Sequence, residues 1–347
     1  MPLSTIALVE QEPKGRRDAQ WMALLEKGRF LAVRYSLPKV RDEPPDGVVE
    51  IYETATGKRA FSEVVRRGGQ EASEVPPRCA VSLAGDWLAF GSKEVQIRNL
   101  PNHQPNLPGW VKKDAQPPVK LLNVARLWVG EADSLYVENG VRFDGRYSLE
   151  RWVQVTGKDR FESQQLLSGG DDTFAITAVD LNPLAGKFAV ALQCNRVENK
   201  PVIECWAFGE KQKPEKKTIA LDVSASALAV SPNGKTIAAG FKDGSVVWFE
   251  TASGKATRRW LLGGSTVGCV VFHPTGELVA CSTLDGKGKL NVFCLNLLTG
   301  EKVSSFVGDE THVSLICFSL DGERLATFGM KGIKIWETGA LLQGKKD

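Results

Sequence analysis

The sequence contains one phrase twice, and this repetition constrains the fold more than any other feature. "DGVVEIYETATGK" runs from Asp46 to Lys58 and "DGSVVWFETASGK" from Asp243 to Lys255, with eight of thirteen positions identical. A segment that recurs indicates a chain built from like structural units, so the period has to be identified before single motifs are interpreted.

A period of 43 to 54 residues extends along most of the chain. The position held by Tyr52 in the first phrase recurs six times, at intervals of 46, 54, 54, 43, 44 and 43 residues. The recurrences are Arg98, Trp152, Trp206, Phe249, Phe293 and Trp336. The spacing therefore predicts seven units.

Each unit has the pattern of four short strands. Two apolar runs joined by a polar turn precede the phrase, as in "ALAVSPNGKTIAAGF" from Ala227, and a fourth apolar run follows it. Asn-Gly at 233–234 and Asp-Gly at 321–322 are strong hairpin signals. Helical periodicity is almost absent. Four strands in roughly 40–45 residues indicate a blade of a β-propeller.

Several units resemble the blades of WD-repeat proteins. The resemblance is carried by "FHPTG" with "LVACS", by "DGSVVWFETASGK" and by "IKIWET", and it extends from about Trp21 to Thr338. It implies an all-β, seven-bladed β-propeller with four antiparallel strands per blade. We expect one domain over residues 1–347, with blades at about 19–69, 76–114, 122–172, 176–224, 225–266, 267–312 and 313–341.

The last unit supplies three strands, and the remaining "GALLQGKKD" is too short and polar for a good fourth. "STIALVEQ", from Ser4, stands alone before the first full unit. We therefore predict that residues 4–10 form the outer strand of the last blade, which would remove an open edge.

Every part of the repeated phrase has an architectural explanation. Asp-Gly suits a tight turn, the alternating run suits a half-buried strand, and the ring at its end can pack between neighbouring blades. The hydrogen-bonded His, Ser or Thr, Asp and Trp of WD-repeat blades are mostly missing. The last unit has His312, Thr327 and Trp336 but Lys331 at the Asp position. We expect apolar packing to supply most of the stability.

The composition of the chain indicates the cellular compartment and the classes of partner to expect. Seven cysteines without a Cys-x-x-Cys pair lie mostly in apolar runs, which favours reduced core thiols over a disulfide scaffold or a metal cluster. No run of 18 apolar residues occurs, and the N-terminal sequence lacks signal-peptide features. A net charge of +3 gives weak steering towards nucleic acid. These features predict a cytoplasmic protein with no membrane or nucleic-acid partner, monomeric on its own.

Catalytic motifs are missing from the sequence. His273 lies in a turn that is structural in WD-repeat proteins, so we predict no catalytic, cofactor-binding or metal-binding residues. The alternative is a propeller enzyme with a metal or small-molecule site at the central channel. Its candidate ligands are Asp42, Glu43, Asp46, Asp144, Asp243 and Asp285.

Three loops between second and third strands are expanded, in units one, three and four. They combine arginine with aromatic residues, as interface hot spots do. We predict a non-catalytic scaffold that binds another protein or peptide on this loop rim. The predicted binding segment of that partner is acidic. The alternative is solvated loop decoration. The predicted contact residues are Arg34, Tyr35, Arg41, Arg142, Phe143, Arg146 and Arg196.

Overall fold

The fold is taken from a computed structural model of the 347-residue chain. The residues it describes are 4–6, 19–36, 47–65, 79–81, 87–91, 95–99, 124–129, 134–140, 147–154, 161–169, 175–182, 188–195, 201–208, 215–263, 266–284, 290–309, 313–329 and 332–342.

The described residues form 27 β-strands and one short α-helix, α1 (Thr338–Leu342). The strands form seven sheets, numbered here in chain order: sheet 1 contains β2 (Ala19–Leu25), β3 (Phe30–Ser36), β4 (Gly47–Glu53) and β5 (Arg59–Val65), and sheet 2 contains β6 (Cys79–Val81), β7 (Trp87–Gly91) and β8 (Val95–Asn99). Sheet 3 contains β9 (Val124–Val129), β10 (Leu135–Gly140), β11 (Tyr147–Gln154) and β12 (Phe161–Gly169), and sheet 4 contains β13 (Ala175–Asn182), β14 (Phe188–Asn195), β15 (Pro201–Phe208) and β16 (Glu215–Ala220). Sheet 5 contains β17 (Ala225–Val230), β18 (Thr236–Phe241), β19 (Ser245–Glu250) and β20 (Ala256–Leu261); sheet 6 contains β21 (Val267–Phe272), β22 (Leu278–Leu284), β23 (Leu290–Asn296) and β24 (Lys302–Asp309); and sheet 7 contains β25 (Val313–Phe318), β26 (Arg324–Gly329), β27 (Gly332–Glu337) and β1 (Ser4–Ile6).

The sheets are antiparallel, and apart from β1 their strands pair in chain order. Six have four strands and sheet 2 has three described strands. Residues 100–114, where the sequence predicts the rest of the second unit, lie outside the described residues. The first strands of neighbouring sheets lie side by side, since β17 contacts β13 and β21, and β25 contacts β21 and β2. Antiparallel sheets arranged in this way form a propeller, so the expected all-β propeller is confirmed.

The strand predicted near the N-terminus is present in sheet 7. β1 pairs antiparallel with β27, with Ser4 opposite Ile335 and Ile6 opposite Ile333. The prediction that this segment supplies the outer strand of the last unit is confirmed for Ser4–Ile6. Residues 7–10 lie outside the described residues.

The ring at the end of the repeated phrase packs against the preceding sheet. Tyr52 shares a buried cluster with Phe328 and Ile333 of sheet 7, and Phe249 shares one with Ile203 of sheet 4. The predicted role of this ring in filling the space between sheets is confirmed at both positions. Burial of a ring of this size contributes about 2 kcal/mol to stability.

The alignment of the sixth unit was wrong by two residues. Leu295 pairs with Val279, which pairs with Phe272 of the first strand. Phe249 makes the equivalent pairing with Ile237 in sheet 5. Leu295, and not Phe293, therefore holds the recurring position, although both are buried in the same cluster.

In sheets 5 and 6, the turn after the third strand accepts a hydrogen bond from the preceding sheet. Gly254 has a φ of 71°, and its amide donates to the Glu250 carbonyl at 2.8 Å. In this turn the Ala252 carbonyl accepts a hydrogen bond from Lys217 Nζ of sheet 4. The corresponding turn of sheet 6 accepts from Trp260 Nε1 of sheet 5 through the Gly300 carbonyl, at 2.9 Å. The turn after the third strand, which contains Gly254 in sheet 5 and Gly300 in sheet 6, thus connects neighbouring sheets at these two positions.

One link of the polar chain typical of WD-repeat blades is formed in sheet 7. Trp336 Nε1 donates to Thr327 Oγ1 at 3.1 Å, and both side chains are buried. His312 and Lys331 lie outside the described residues. In the described part of the chain, no helix has the length and hydrophobicity needed to span a membrane.

Candidate functional site

The candidate site is the rim formed by the loops between second and third strands and by the connections between sheets. Around sheet 5 this rim contains the 242–244 turn and residues 221–224. The Leu221 amide donates to the Pro201 carbonyl of sheet 4 at 3.0 Å, and the Leu262 amide donates to the Gly244 carbonyl at 3.2 Å. These bonds hold the connections against the loops of the same edge.

Asp243 organises the turn of sheet 5. Its Oδ1 accepts from the Ser245 amide at 2.9 Å and from the Ser245 hydroxyl at 2.6 Å, and its Oδ2 accepts from Arg259 Nη2 at 2.8 Å. The Ser245 hydroxyl, then the Ser245 amide and Arg259, hold the pKa of Asp243 below its ordinary value. Gly244 supplies the φ of 78° that the turn requires. The predicted structural role of this Asp-Gly pair is confirmed.

Two large apolar side chains are exposed on the rim of sheet 5. Val223 is 59% exposed and Leu261 is 73% exposed. The other exposed large apolar side chains among the described residues are Leu298 and Leu320, which lie in turns at the opposite edge of sheets 6 and 7. Sequence reasoning missed Val223 and Leu261. A usable signal was the alternation in β20: Trp260 faces the next sheet, so Leu261 points to the other side.

Two of the predicted contact residues are buried. Arg34 is 1% exposed and Tyr35 is 0% exposed, because β3 continues to Ser36 and both residues belong to it. The Tyr35 ring packs 6.5 Å from that of Phe328, and Arg34 lies against Gly47. Their assignment to an exposed loop was wrong. The remaining predicted contacts lie outside the described residues: Arg41, Arg142, Phe143, Arg146 and Arg196.

Two carboxylates are buried and paired with cations of their own sheets, and sequence reasoning missed both. Glu50 accepts from the Tyr52 hydroxyl at 2.5 Å and from Arg59 Nη1 at 2.8 Å. Glu204 pairs with Lys216 Nζ at 2.6 Å. Each carboxylate precedes the recurring ring by two residues and pairs with a cation of the fourth strand. That spacing was a signal in the sequence. Because the acids are paired and buried, we assign them a structural role.

The thiols are poor candidates for nucleophilic chemistry. Burial raises the pKa of Cys269 to about 11 and the pKa values of Cys205 and Cys317 to about 12, so these thiols stay protonated at neutral pH. Six cysteines of the described part have free thiols: Cys79, Cys205, Cys269, Cys281, Cys294 and Cys317. No group of three or more His, Cys, Asp or Glu side chains in the described ranges is placed to hold a metal ion.

His273 bridges two sheets. Its Nδ1 lies 2.9 Å from the Thr275 hydroxyl and its Nε2 lies 3.0 Å from the Gly322 carbonyl of sheet 7. The ring also meets Phe318 edge-on, with centroids 5.0 Å apart. Sequence reasoning placed His273 in a structural turn, and these contacts confirm that placement.

Replacing His273 with alanine should lower the free energy of unfolding by only about 1 kcal/mol, because a second side chain, Thr338, can donate to the Gly322 carbonyl in its place. Thr54 and Thr251 donate from Oγ1 to the turn carbonyls of Gly28 and Gly234 in their own sheets. The equivalent Thr338 Oγ1 is buried and has no partner among the described residues.

We expect Thr338 to bond the Gly322 carbonyl when His273 is removed. In urea denaturation, His273→Ala with Thr338→Val should therefore lose about 1 kcal/mol more than the sum of the single variants. If the stability losses of the two single variants simply added up in the double variant, Thr338 would not replace His273 as the donor to Gly322.

Comparison with known proteins agrees with the sheet arrangement. The family described as "WD domain, G-beta repeat" matches residues 221–250 and 257–290, which cover sheet 5 and part of sheet 6. The chain is also similar to WD repeat-containing protein 81 of Danio rerio, with 29% identity over 195 residues. That match covers 53% of this chain and 8% of the relative. The matched repeats, the relative and the antiparallel propeller together make this chain similar to the WD-repeat family.

Proposed function

We propose that this protein is a non-catalytic interaction scaffold that binds a partner protein or peptide on its loop rim. WD-repeat propellers are generally protein-interaction scaffolds and are typically non-enzymatic. The observation that carries the proposal is the exposure of Val223 and Leu261 on the rim of sheet 5. Both side chains lie at the same edge of sheet 5, Val223 before its first strand and Leu261 at the end of its fourth, and exposed apolar side chains at such an edge can contribute to a binding surface.

The proposal also covers the overall ring. We infer that the seven sheets are the blades of one seven-bladed propeller comprising residues 1–347, with the unit boundaries given by the sequence. The inner strands β13, β17, β21, β25, β2, β6 and β9 contact one another in that order, which supports the ring. The ring is complete when β9 also lies beside β13. A cytoplasmic location is part of the same proposal.

The partner segment proposed here combines an apolar residue with acidic ones. The loop that contains Arg196 ends at Pro201, whose carbonyl accepts from the Leu221 amide. Pro201, the residue that follows the predicted basic loop of sheet 4, therefore lies beside residue 221 of the rim that carries Val223. Arg41, Arg142, Phe143 and Arg146 would extend this surface along the loops of sheets 1 and 3.

Affinity purification from the native source with the full chain tests the proposal. A partner recovered with the wild-type chain should be lost with Val223→Ser and Leu261→Ser combined. It should be lost independently with Arg41→Glu, Arg146→Glu and Arg196→Glu combined, because charge reversal repels an acidic segment. Leu298→Ser is the matched control, since Leu298 is 68% exposed at the opposite edge. Equal recovery with all four chains would count against a rim site.

A further inference from the structure

We propose that the outer groove between sheets 4 and 5 binds the acidic and apolar segment of the partner; this inference rests on the proposed function and gives that segment its place. The groove lies between the fourth strands of the two sheets, β16 and β20, and one end of it opens at the rim. Its side chains are Lys217 and Ile219 on β16, Arg259 and Leu261 on β20, and Leu221 and Val247, which are partly buried against the cluster that joins the two sheets.

The strand pairing shows that the two walls of the groove face each other. Val247 packs against the cluster shared with sheet 4 and lies opposite Arg259, so Arg259 is on the sheet 4 side of β20. Leu261, two residues further along β20, is on the same side. Cys205 belongs to the same cluster and lies opposite Lys217, so Lys217 is on the sheet 5 side of β16. Each wall of the groove therefore carries one cation.

The groove between sheets 4 and 5 is open at a place where the next groove is closed. Between sheets 5 and 6, Trp260 reaches across and donates from Nε1 to the Gly300 carbonyl at 2.9 Å. Ile219 holds the same place on β16, since Ile219 and Trp260 each lie opposite the residue three positions before the recurring ring. Isoleucine is shorter than tryptophan and has no donor with which to reach the neighbouring turn. The opposite wall remains exposed, with Leu261 73% exposed.

The two cations of the groove have donors left for a ligand. Arg259 Nη2 donates to Asp243 Oδ2 at 2.8 Å, and Lys217 Nζ donates to the Ala252 carbonyl. A guanidinium or an ammonium carries several N–H donors, and in the described part of the chain each of these cations uses one. The acids on the same two faces stand at the ends of the groove, Asp243 at the rim and Glu215 at the other end. The middle of the groove is therefore positive and suits a carboxylate.

The order of the side chains along β20 defines the segment that fits. Arg259 is 63% exposed, and Asp243, which is itself held by the amide and hydroxyl of Ser245, fixes its orientation. A pre-oriented guanidinium lowers the entropic cost of binding a carboxylate. Leu261 follows about 7 Å further towards the rim, where Val223 adds a second exposed apolar side chain. An extended segment with an acidic residue two positions from a large apolar one matches this spacing.

Selection of displayed peptides on the full chain tests the groove. A phage library of short random peptides is selected against the wild-type chain, and the most enriched peptide is synthesised with a fluorescent label. It should contain an aspartate or glutamate two residues from a large apolar residue. Enrichment of basic peptides, or of no sequence at all, would overturn the proposal.

Replacing Ile219 with tryptophan should close the groove as Trp260 closes the next one. In fluorescence polarisation, Ile219→Trp and Arg259→Gln should each weaken binding of the labelled peptide by about tenfold or more. Ile219→Leu is the matched control, because it keeps the volume of the side chain and should leave the affinity unchanged. Circular dichroism shows whether Ile219→Trp is folded; if it is not, Arg259→Gln and Leu261→Ser carry the same test at exposed positions. Unchanged affinity in the folded variants of these three would overturn the proposal.

The groove and the proposed function fail in different ways. Loss of the native partner with Val223→Ser and Leu261→Ser combined, but not with Ile219→Trp, would keep the rim as the binding surface and refute the groove. Loss of peptide binding with Ile219→Trp, while every variant still recovers the native partner, would keep the groove as a peptide site and refute the proposed function.

Discussion

Replacing Gly240 with valine should lower the free energy of unfolding by about 3 kcal/mol, because the new side chain overlaps the neighbouring sheet. Gly240 lies in β18, and a Cβ placed on it would meet Val267 Cγ1 at 2.4 Å and Val270 Cγ2 at 3.2 Å. Both valines belong to the first strand of sheet 6 and are buried. Its φ lies outside the left-handed region, so the expected loss comes from overpacking and not from backbone strain.

The hydrogen bonds around Gly240 limit how far the sheets can separate. Ser226 Oγ donates to the Gly240 carbonyl at 3.1 Å and to the Val267 carbonyl at 2.7 Å. A larger residue at Gly240 must therefore stretch these bonds or displace Val267. The close approach of sheets 5 and 6 is fixed by both packing and hydrogen bonding at this point.

Urea denaturation of the full chain measures the effect. Gly339→Ala is the matched control, since an added Cβ there meets nothing within 4 Å, and its change should stay within about 0.5 kcal/mol. The smaller change Gly240→Ala introduces the same Cβ clash with Val267. Adding Val267→Ala to that variant makes room for the new Cβ and should restore part of the lost stability, which a double-mutant cycle measures as a favourable coupling. A Gly240→Val chain as stable as Gly339→Ala would show that the two sheets are further apart than described.

The propeller could be predicted from sequence because its signals are local and repeated. Asn-Gly, Asp-Gly and the apolar runs beside them specify hairpins over few residues, and the repeated copies reinforce one another. The same periodicity explains the error in the sixth unit. Phe293 and Leu295 lie on one face of β23, since side chains alternate with a period of two. The pattern alone therefore allowed a two-residue shift, and only Gly300 in the following turn distinguishes the two alignments.

The candidate site was less predictable because exposure is decided by neighbouring sheets. Arg34 and Tyr35 are residue types typical of interface loops, yet β3 continues through both of them to Ser36 and their side chains are buried. Leu261 has the composition of a core residue, yet it lies on the open face of an outer strand. The bond from His273 to Gly322 joins residues 49 positions apart. No local pattern contains that information.

Replacing Trp248 with alanine should lower the free energy of unfolding by about 4 kcal/mol. Trp248 is 1% exposed in the cluster between sheets 5 and 6. Its ring centre lies 4.0 Å from that of Trp260, and Trp260 in turn donates to the Gly300 carbonyl. Loss of the Trp248 side chain leaves a large cavity and removes the support of a residue that joins the two sheets.

Trp248→Phe separates the packing of the ring from its polar group. Trp248 Nε1 is buried and has no hydrogen-bond partner among the described residues. Removing this N–H group from water therefore costs about 1–3 kcal/mol that no hydrogen bond offsets. Phenylalanine removes that penalty while it keeps most of the apolar volume, and we expect a net loss of only about 1 kcal/mol. Denaturation with tryptophan fluorescence and circular dichroism measures both variants. If Trp248→Phe were as destabilised as Trp248→Ala, the indole nitrogen would have a partner, and the buried ring would owe its stability to that bond.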